Sequence, residues 1–203
     1  DKFKEPKGSV ALVFFLGICI CLPAGYINSF MENNFKDLFS ERLLFSFLGP
    51  AWCEELLKFI ILYFIVLRRN EFNEPMDGIV YGVTVSLGFA TFENYEYVFH
   101  WAEVWKIDPA QMAIWRSYSA VPLHGLAGCI MGFYFGKYAF TAERKYLILS
   151  LLIPFIIHGL YNYLNYPYHF MLLGIIVIYS IILHSNFKKL QNTKSIEKEI
   201  KKI

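Results

Sequence analysis

The chain has 203 residues, 56% of them hydrophobic and 19% aromatic, with a mean hydropathy of +0.40. That is too apolar for a soluble domain of this length, and the net charge of +2 says less than where the charges fall; no nucleic-acid partner is expected. The composition describes one polytopic helical membrane domain.

Six apolar runs follow one another, at residues 10–27, 43–67, 78–99, 118–135, 146–163 and 170–183. A bilayer core takes about 20 residues of helix, and these runs approach or exceed that except the last, which is the shortest. None alternates with period two, so strands are excluded. The expected fold is an all-α transmembrane bundle of about six spans, with a single domain over 1–185 and a basic tail over 186–203. The first run is followed by no small-residue cleavage site, so no cleavable signal peptide is expected.

The lysines and arginines set the orientation. With Lys58 set aside as intramembrane, fourteen fall in the two termini and in the loops after the second and fourth runs. Only Lys36, Arg42, Lys106 and Arg116 fall on the other side. The positive-inside rule then puts both termini in the cytoplasm. The tail lysines are expected to be solvated and drawn to anionic lipid. On the outside, Trp101, Trp105, Trp115 and Tyr118 are expected at headgroup level, either as anchors or as a gate for lateral substrate access. Phe35, Leu38 and Phe39 give the other outer loop a short apolar face.

Two further patterns concern packing. Gly78 and Gly82, and Gly128, Gly132 and Gly136, recur every fourth residue, the spacing that lets helix backbones approach closely in lipid. Cys19, Cys21, Cys53 and Cys129 all lie in apolar runs without a C-x-x-C pair, and read as small buried hydrophobes.

Ionisable residues inside the runs carry the chemistry. Glu54, Glu55 and Lys58 interrupt the second run, Glu93 and Asn94 the third, His124 the fourth, and His158 and Asn162 the fifth. A charge at such a position costs roughly 2.5–3.5 kcal/mol on insertion scales, so several of them need a shared reason. At about 1.5 Å per residue, Glu54 lies about 18 Å from the outer start of its helix. Glu93, His124 and His158 lie about 10–12 Å from theirs. Four helices of alternating direction thus bring their polar groups to one depth, in the outer half of the bilayer.

Local spacing refines the set. Glu54 and Lys58 are i,i+4, so the lysine is expected to compensate Glu54, with Glu55 turned about 100° away toward another neighbour. His158 and Asn162 are also i,i+4 and are expected to face one ligand. Glu93 and Asn94 are adjacent and are not expected to face the same point. Asp77 reads as a helix N-cap. His100, His169 and His184 read as interfacial.

Three functional readings fit these residues, beside a polar network that only fixes helix packing. In hydrolysis, a carboxylate beside a histidine deprotonates water while a second histidine and an asparagine stabilise the oxyanion. In a metal site, Glu54, His124 and His158 hold zinc with one position open to water. In a non-enzymatic protein, a transporter or an immunity-type binding protein, the same groups form a proton or ion path.

The motifs, taken together, resemble a family. E-E-L-L-K at 54–58, P-M-D-G-I-V-Y-G at 75–82, F-E-N at 92–94, L-H-G at 123–125 and H-G-L-Y-N at 158–162 are similar to those of the PrsW family of intramembrane proteases. That family belongs with the CAAX-type prenyl-protein proteases in a glutamate-dependent superfamily. The resemblance covers residues 43–163 and leaves the first span and the tail unmatched. It implies that Glu54 activates water with Glu55 beside it. It further implies that His124 positions that water, that His158 and Asn162 form the oxyanion site, and that Glu93 and Asn94 give support. It implies a bacterial plasma-membrane enzyme cleaving single-pass membrane proteins, such as anti-sigma factors, near the extracytoplasmic side. CAAX-type relatives carry a longer glutamate motif ending in arginine, which argues against prenyl-protein cleavage. No cofactor is expected, with zinc left open.

Overall fold

The computed structural model describes residues 4–35, 41–165 and 167–200, with side-chain surroundings described as far as Phe187. The apolar face expected at Leu38 and Phe39, and the side chains of the tail lysines, lie outside the described residues.

The described elements are all helical: α1 (Lys7–Asn34), α2 (Arg42–Ser46), α3 (Trp52–Phe64), α4 (Pro75–Glu96), α5 (Ala102–Trp105), α6 (Pro109–Tyr118), α7 (Ala120–Thr141), α8 (Arg144–Tyr163) and α9 (Tyr168–Ile200). Among the described residues, three helices are long and apolar enough to cross a membrane by length and composition: α1, α8 and the first 20 residues of α9, Tyr168–Phe187. α4 and α7, with 22 residues each, have the length but carry the glycines and polar groups that lower their hydropathy. The second apolar run is broken. A π-helical turn over Phe47–Ala51, with Gly49 at φ −83° and ψ −116°, separates α2 from α3. Pro50 causes this, since it has no N–H and clashes with the preceding turn. α9 runs on to Ile200, so the basic segment expected from 186 begins inside a helix.

The glycine ridges make the core of the bundle. Gly78 lies against the Gly132 carbonyl and Gly136, Gly82 against the Gly128 carbonyl and Gly132, and Gly136 against the Pro75 carbonyl. A Cβ at any of these would overlap backbone, so α4 and α7 meet backbone to backbone along this seam. Gly17 and Gly88 do the same between α1 and α4, against the carbonyls of Val85 and Phe14. Around these seams Val13, Leu62, Tyr81, Val85, Met131 and Phe135 are almost completely buried. Helix ends follow local chemistry. α4 starts at Pro75, so Glu74 takes the N-cap and Asp77 falls three residues into the helix. Its carboxylate accepts from the Asn73 and Glu74 N–H groups at 2.8 Å each. The expected cap is therefore displaced by the proline. Asp108 caps α6, accepting from the Gln111 N–H at 3.0 Å.

Cys21 and Cys53 are buried as expected, but Cys19 is exposed on the outer face of α1.

Candidate active site

The break at Pro50 decides where the first carboxylates sit. Because α3 begins at Trp52, just after the break, Glu54 and Glu55 occupy its first turn, where the helix dipole favours negative charge. Glu93 and Asn94 lie in the last turn of α4, His124 near the start of α7, and His158 in the last two turns of α8. α3 and α7 run opposite to α4 and α8, so all of these residues meet at one end of the bundle, the end bearing α5 and α6.

The side chains there form a continuous polar chain. Lys58 Nζ donates to Glu55 Oε1 at 2.7 Å and lies 3.0 Å from His124 Nδ1. It also sits 4.3 Å from the centre of the Phe89 ring. Glu55 Oε1 is 2.9 Å from His158 Nδ1, and His124 Nε2 is 3.0 Å from Glu93 Oε2. The two imidazoles meet edge to face, with centroids 5.1 Å apart. His158 Nε2 stands 3.9 Å from Glu54 Oε2, too far for a direct hydrogen bond. Glu55 and Lys58 are wholly buried, and Glu54, His124 and His158 are exposed by 5% or less. Glu54 Oε2 is buried without a hydrogen-bond partner.

These contacts assign the tautomers. Lys58 is a donor, so His124 Nδ1 accepts from it and its Nε2–H donates to Glu93. Glu55 is an ionised acceptor beside Lys58, so His158 donates from Nδ1 and its Nε2 carries a lone pair toward Glu54. Two acceptors, Glu54 Oε2 and His158 Nε2, thus face a common gap. Across the whole cluster, Glu54, Glu55 and Glu93 set three carboxylates against the two fixed cations Lys58 and Arg116.

A metal fits this donor set. Glu54, His124 and His158 each offer a ligand atom within 4.8 Å of the others. The unpartnered Glu54 oxygen and the free Nε2 of His158, oriented by Glu55 as a second-shell carboxylate, are ready to ligate. His124 already engages both ring nitrogens, so its ligation would replace one of those bonds.

Several local expectations are corrected. Lys58 pairs with Glu55 at i,i+3 rather than with Glu54, because that spacing also places side chains on one helix face. Glu55 does not turn to a separate neighbour but joins Lys58 to His158. Glu93 and Asn94 do face one partner, since the guanidinium of Arg116 is broad enough to take both. Asn162 is half-buried one turn past His158, and its amide makes no hydrogen bond among the described residues. Arg116, in the sequence one of the four outer-side charges, is 8% exposed and belongs to the cluster. The signal for it was the Asp108–Pro109 helix start, which puts Arg116 on a helix leading directly into His124. The remaining histidines stay apart. His100 and His184 are exposed, and His169 stacks on Tyr161 and hydrogen-bonds the Leu164 carbonyl at 2.8 Å. Trp101 and Trp105 pack together with centroids 5.6 Å apart, half-exposed beside α6.

A helical membrane bundle that gathers carboxylates and two histidines in one buried cluster has the makings of a membrane-embedded hydrolase. The model of the PrsW family intramembrane metalloproteases matches residues 5–185. The chain is 37% identical over 162 residues to a protein named Protease PrsW from Geobacillus kaustophilus, covering 79% of this chain and 68% of that one. It is 39% identical over 163 residues to the protein of that name from Bacillus subtilis, covering 79% and 71%. To the one from Clostridioides difficile it is 31% identical over 191 residues, covering 92% and 78%. No solved structure matches the chain. The chain belongs to the PrsW family of intramembrane proteases, and is a bacterial membrane-embedded hydrolase. The match also extends past 43–163 to include the first span and most of α9.

Proposed function

We propose that the cluster at Glu54 hydrolyses a peptide bond of a single-pass membrane protein, of the anti-sigma-factor kind, near the extracytoplasmic side. The observation that carries this reading is the gap between Glu54 Oε2 and His158 Nε2, 3.9 Å wide with two unspent acceptors. A water there donates one proton to each and presents its lone pairs to a carbonyl carbon. Glu54 takes the proton as the water attacks, the general-base role. Glu55 keeps His158 in the tautomer that leaves Nε2 free, and Lys58 offsets the Glu55 charge. His124 is held by Lys58 and Glu93, and it closes the pocket against Phe89. The free amide of Asn162 donates to the oxyanion, worth about 10²–10³-fold in kcat for such a donor. His158 joins it as a donor only after protonation, because its neutral Nε2 is an acceptor.

The family description names a metalloprotease. A zinc held by Glu54, His124 and His158 would supply Lewis-acid polarisation and a bound water acidified to near neutral pH. The outer location is supported by the lysine and arginine asymmetry, which also favours cytoplasmic termini. Lipid is the expected surround of the exposed aromatic and aliphatic side chains.

The test is cleavage of a model single-pass substrate by protein reconstituted in liposomes, with the cut mapped by mass spectrometry and metal content measured. A cut in the outer half of the substrate's span supports the proposal. A cut confined to the inner half, or no cut, overturns it. Loss of activity with a chelator, regained with zinc, supports the metal reading in place of Glu54 acting as a free base.

A further inference from the structure

Arg116 comes from α6, a helix that buries Met112 and Arg116 while Ile114, Trp115 and Tyr118 are more than half exposed. Its own side chain turns inward and is shared three ways. Nη2 lies 2.5 Å from Glu93 Oε2, Nε donates to Asn94 Oδ1 at 2.7 Å, and the guanidinium covers the Tyr97 ring at 3.8 Å. The Glu93 oxygen it holds is the one that meets His124 Nε2. Arg116 therefore ends the polar chain that runs through Glu93, His124, Lys58, Glu55 and His158 to Glu54.

We infer that Arg116 is a positioning residue for the proposed reaction, which fixes the Glu93 carboxylate and through it the His124 ring. The inference rests on the function proposed above. The Glu93 side chain has rotameric freedom of its own, because the helix runs on past it through Tyr97–Trp101 to Trp105 and offers it no cap. Two fixed donors from one planar guanidinium remove that freedom, because they pin both Glu93 and its neighbour Asn94. The charge of Arg116 also offsets that of Glu93, so Glu93 need not draw on Lys58, which is committed to Glu55 and His124. Lysine at this position keeps the charge but, as a single point donor, does not reproduce the fork. Arg116 touches neither the Glu54–His158 gap nor Glu54, so it acts through other groups.

The experiment measures kcat and KM on the model substrate for wild type, Glu54→Gln, Arg116→Ala, Arg116→Lys and the double variant Arg116→Ala/Glu93→Gln. Arg116→Ala is expected to lower kcat by about 10–100-fold, the usual effect of losing an outer-shell partner, with KM changed little. Arg116→Lys is expected to fall between wild type and alanine. The double variant is expected to exceed Arg116→Ala, because a glutamine oxygen still accepts from His124 and leaves no unpaired buried charge. Should Arg116→Ala fail to fold, as judged by gel filtration, the lysine variant decides, and wild-type kcat in it overturns the inference. Wild-type kcat in Arg116→Ala, or a loss confined to KM, overturns it too. Those results with Glu54→Gln inactive leave the proposed function standing. Equal cleavage by wild type and Glu54→Gln overturns both.

Discussion

Lys58 gives the sharpest test of how the cluster is held. Its ammonium is wholly buried, 2.7 Å from Glu55 and 3.0 Å from His124. Methionine keeps most of the stem's volume while removing the charge. Glu55 would then be a fully buried carboxylate with only His158 for a partner. Removing one member of a buried pair costs about 3–5 kcal/mol, most of it the penalty of the charge left behind. That is a fall of roughly 100- to 4,000-fold in the folded-to-unfolded ratio. If the penalty is the stranded charge, Lys58→Met/Glu55→Gln should regain at least half of it, because the amide still accepts from His158 Nδ1. Unfolding by SDS in mixed micelles, followed by tryptophan fluorescence, measures all three variants. A Lys58→Met protein within about 1 kcal/mol of wild type would refute the reasoning, as would a double variant no better than the single.

Two other predictions concern the frame. Gly132→Leu should destabilise the bundle by about 1–3 kcal/mol or more, because its Cβ would overlap the Gly78 carbonyl and come within 2.8 Å of Ile79 Cα. Gly174→Ala, with open space around its Cβ, should be neutral or slightly stabilising in the same unfolding assay. Glu71, in the loop before α4, is held below the ordinary carboxylate range by its own backbone N–H, the Ser9 hydroxyl and Arg69. Its folded pKa is depressed, so its contribution is present above the ordinary glutamate range and lost as pH falls through and below it. The difference in thermal midpoint between wild type and Glu71→Gln should therefore shrink from pH 7 toward pH 3, and a difference that grows on acidification would contradict this.

The glycine ridges and the common depth of Glu54, Glu93, His124 and His158 were legible in the sequence because both follow from helical rise and period alone. The partner of Lys58 was not, since i,i+3 and i,i+4 spacings both bring side chains together and only the packed bundle chooses. The joint hold of Arg116 on Glu93 and Asn94 joins residues more than 20 positions apart through a helix, α6, that composition presents as a surface loop. Two misplacements had local signals. Gly49–Pro50 marks the break that puts Glu54 and Glu55 on a first turn, and Pro75 moves the α4 cap from Asp77 to Glu74. Asn162 shares a helix spacing with His158 but leaves its amide unpaired, a role that spacing does not determine.

The central claim is that Glu54 activates the attacking water. Cleavage of a single-pass substrate by purified wild type and by Glu54→Gln, reconstituted side by side, tests it most directly. The account predicts cleavage by wild type and none by the variant, with both proteins eluting identically in gel filtration. Wild-type turnover by a folded Glu54→Gln protein would contradict it.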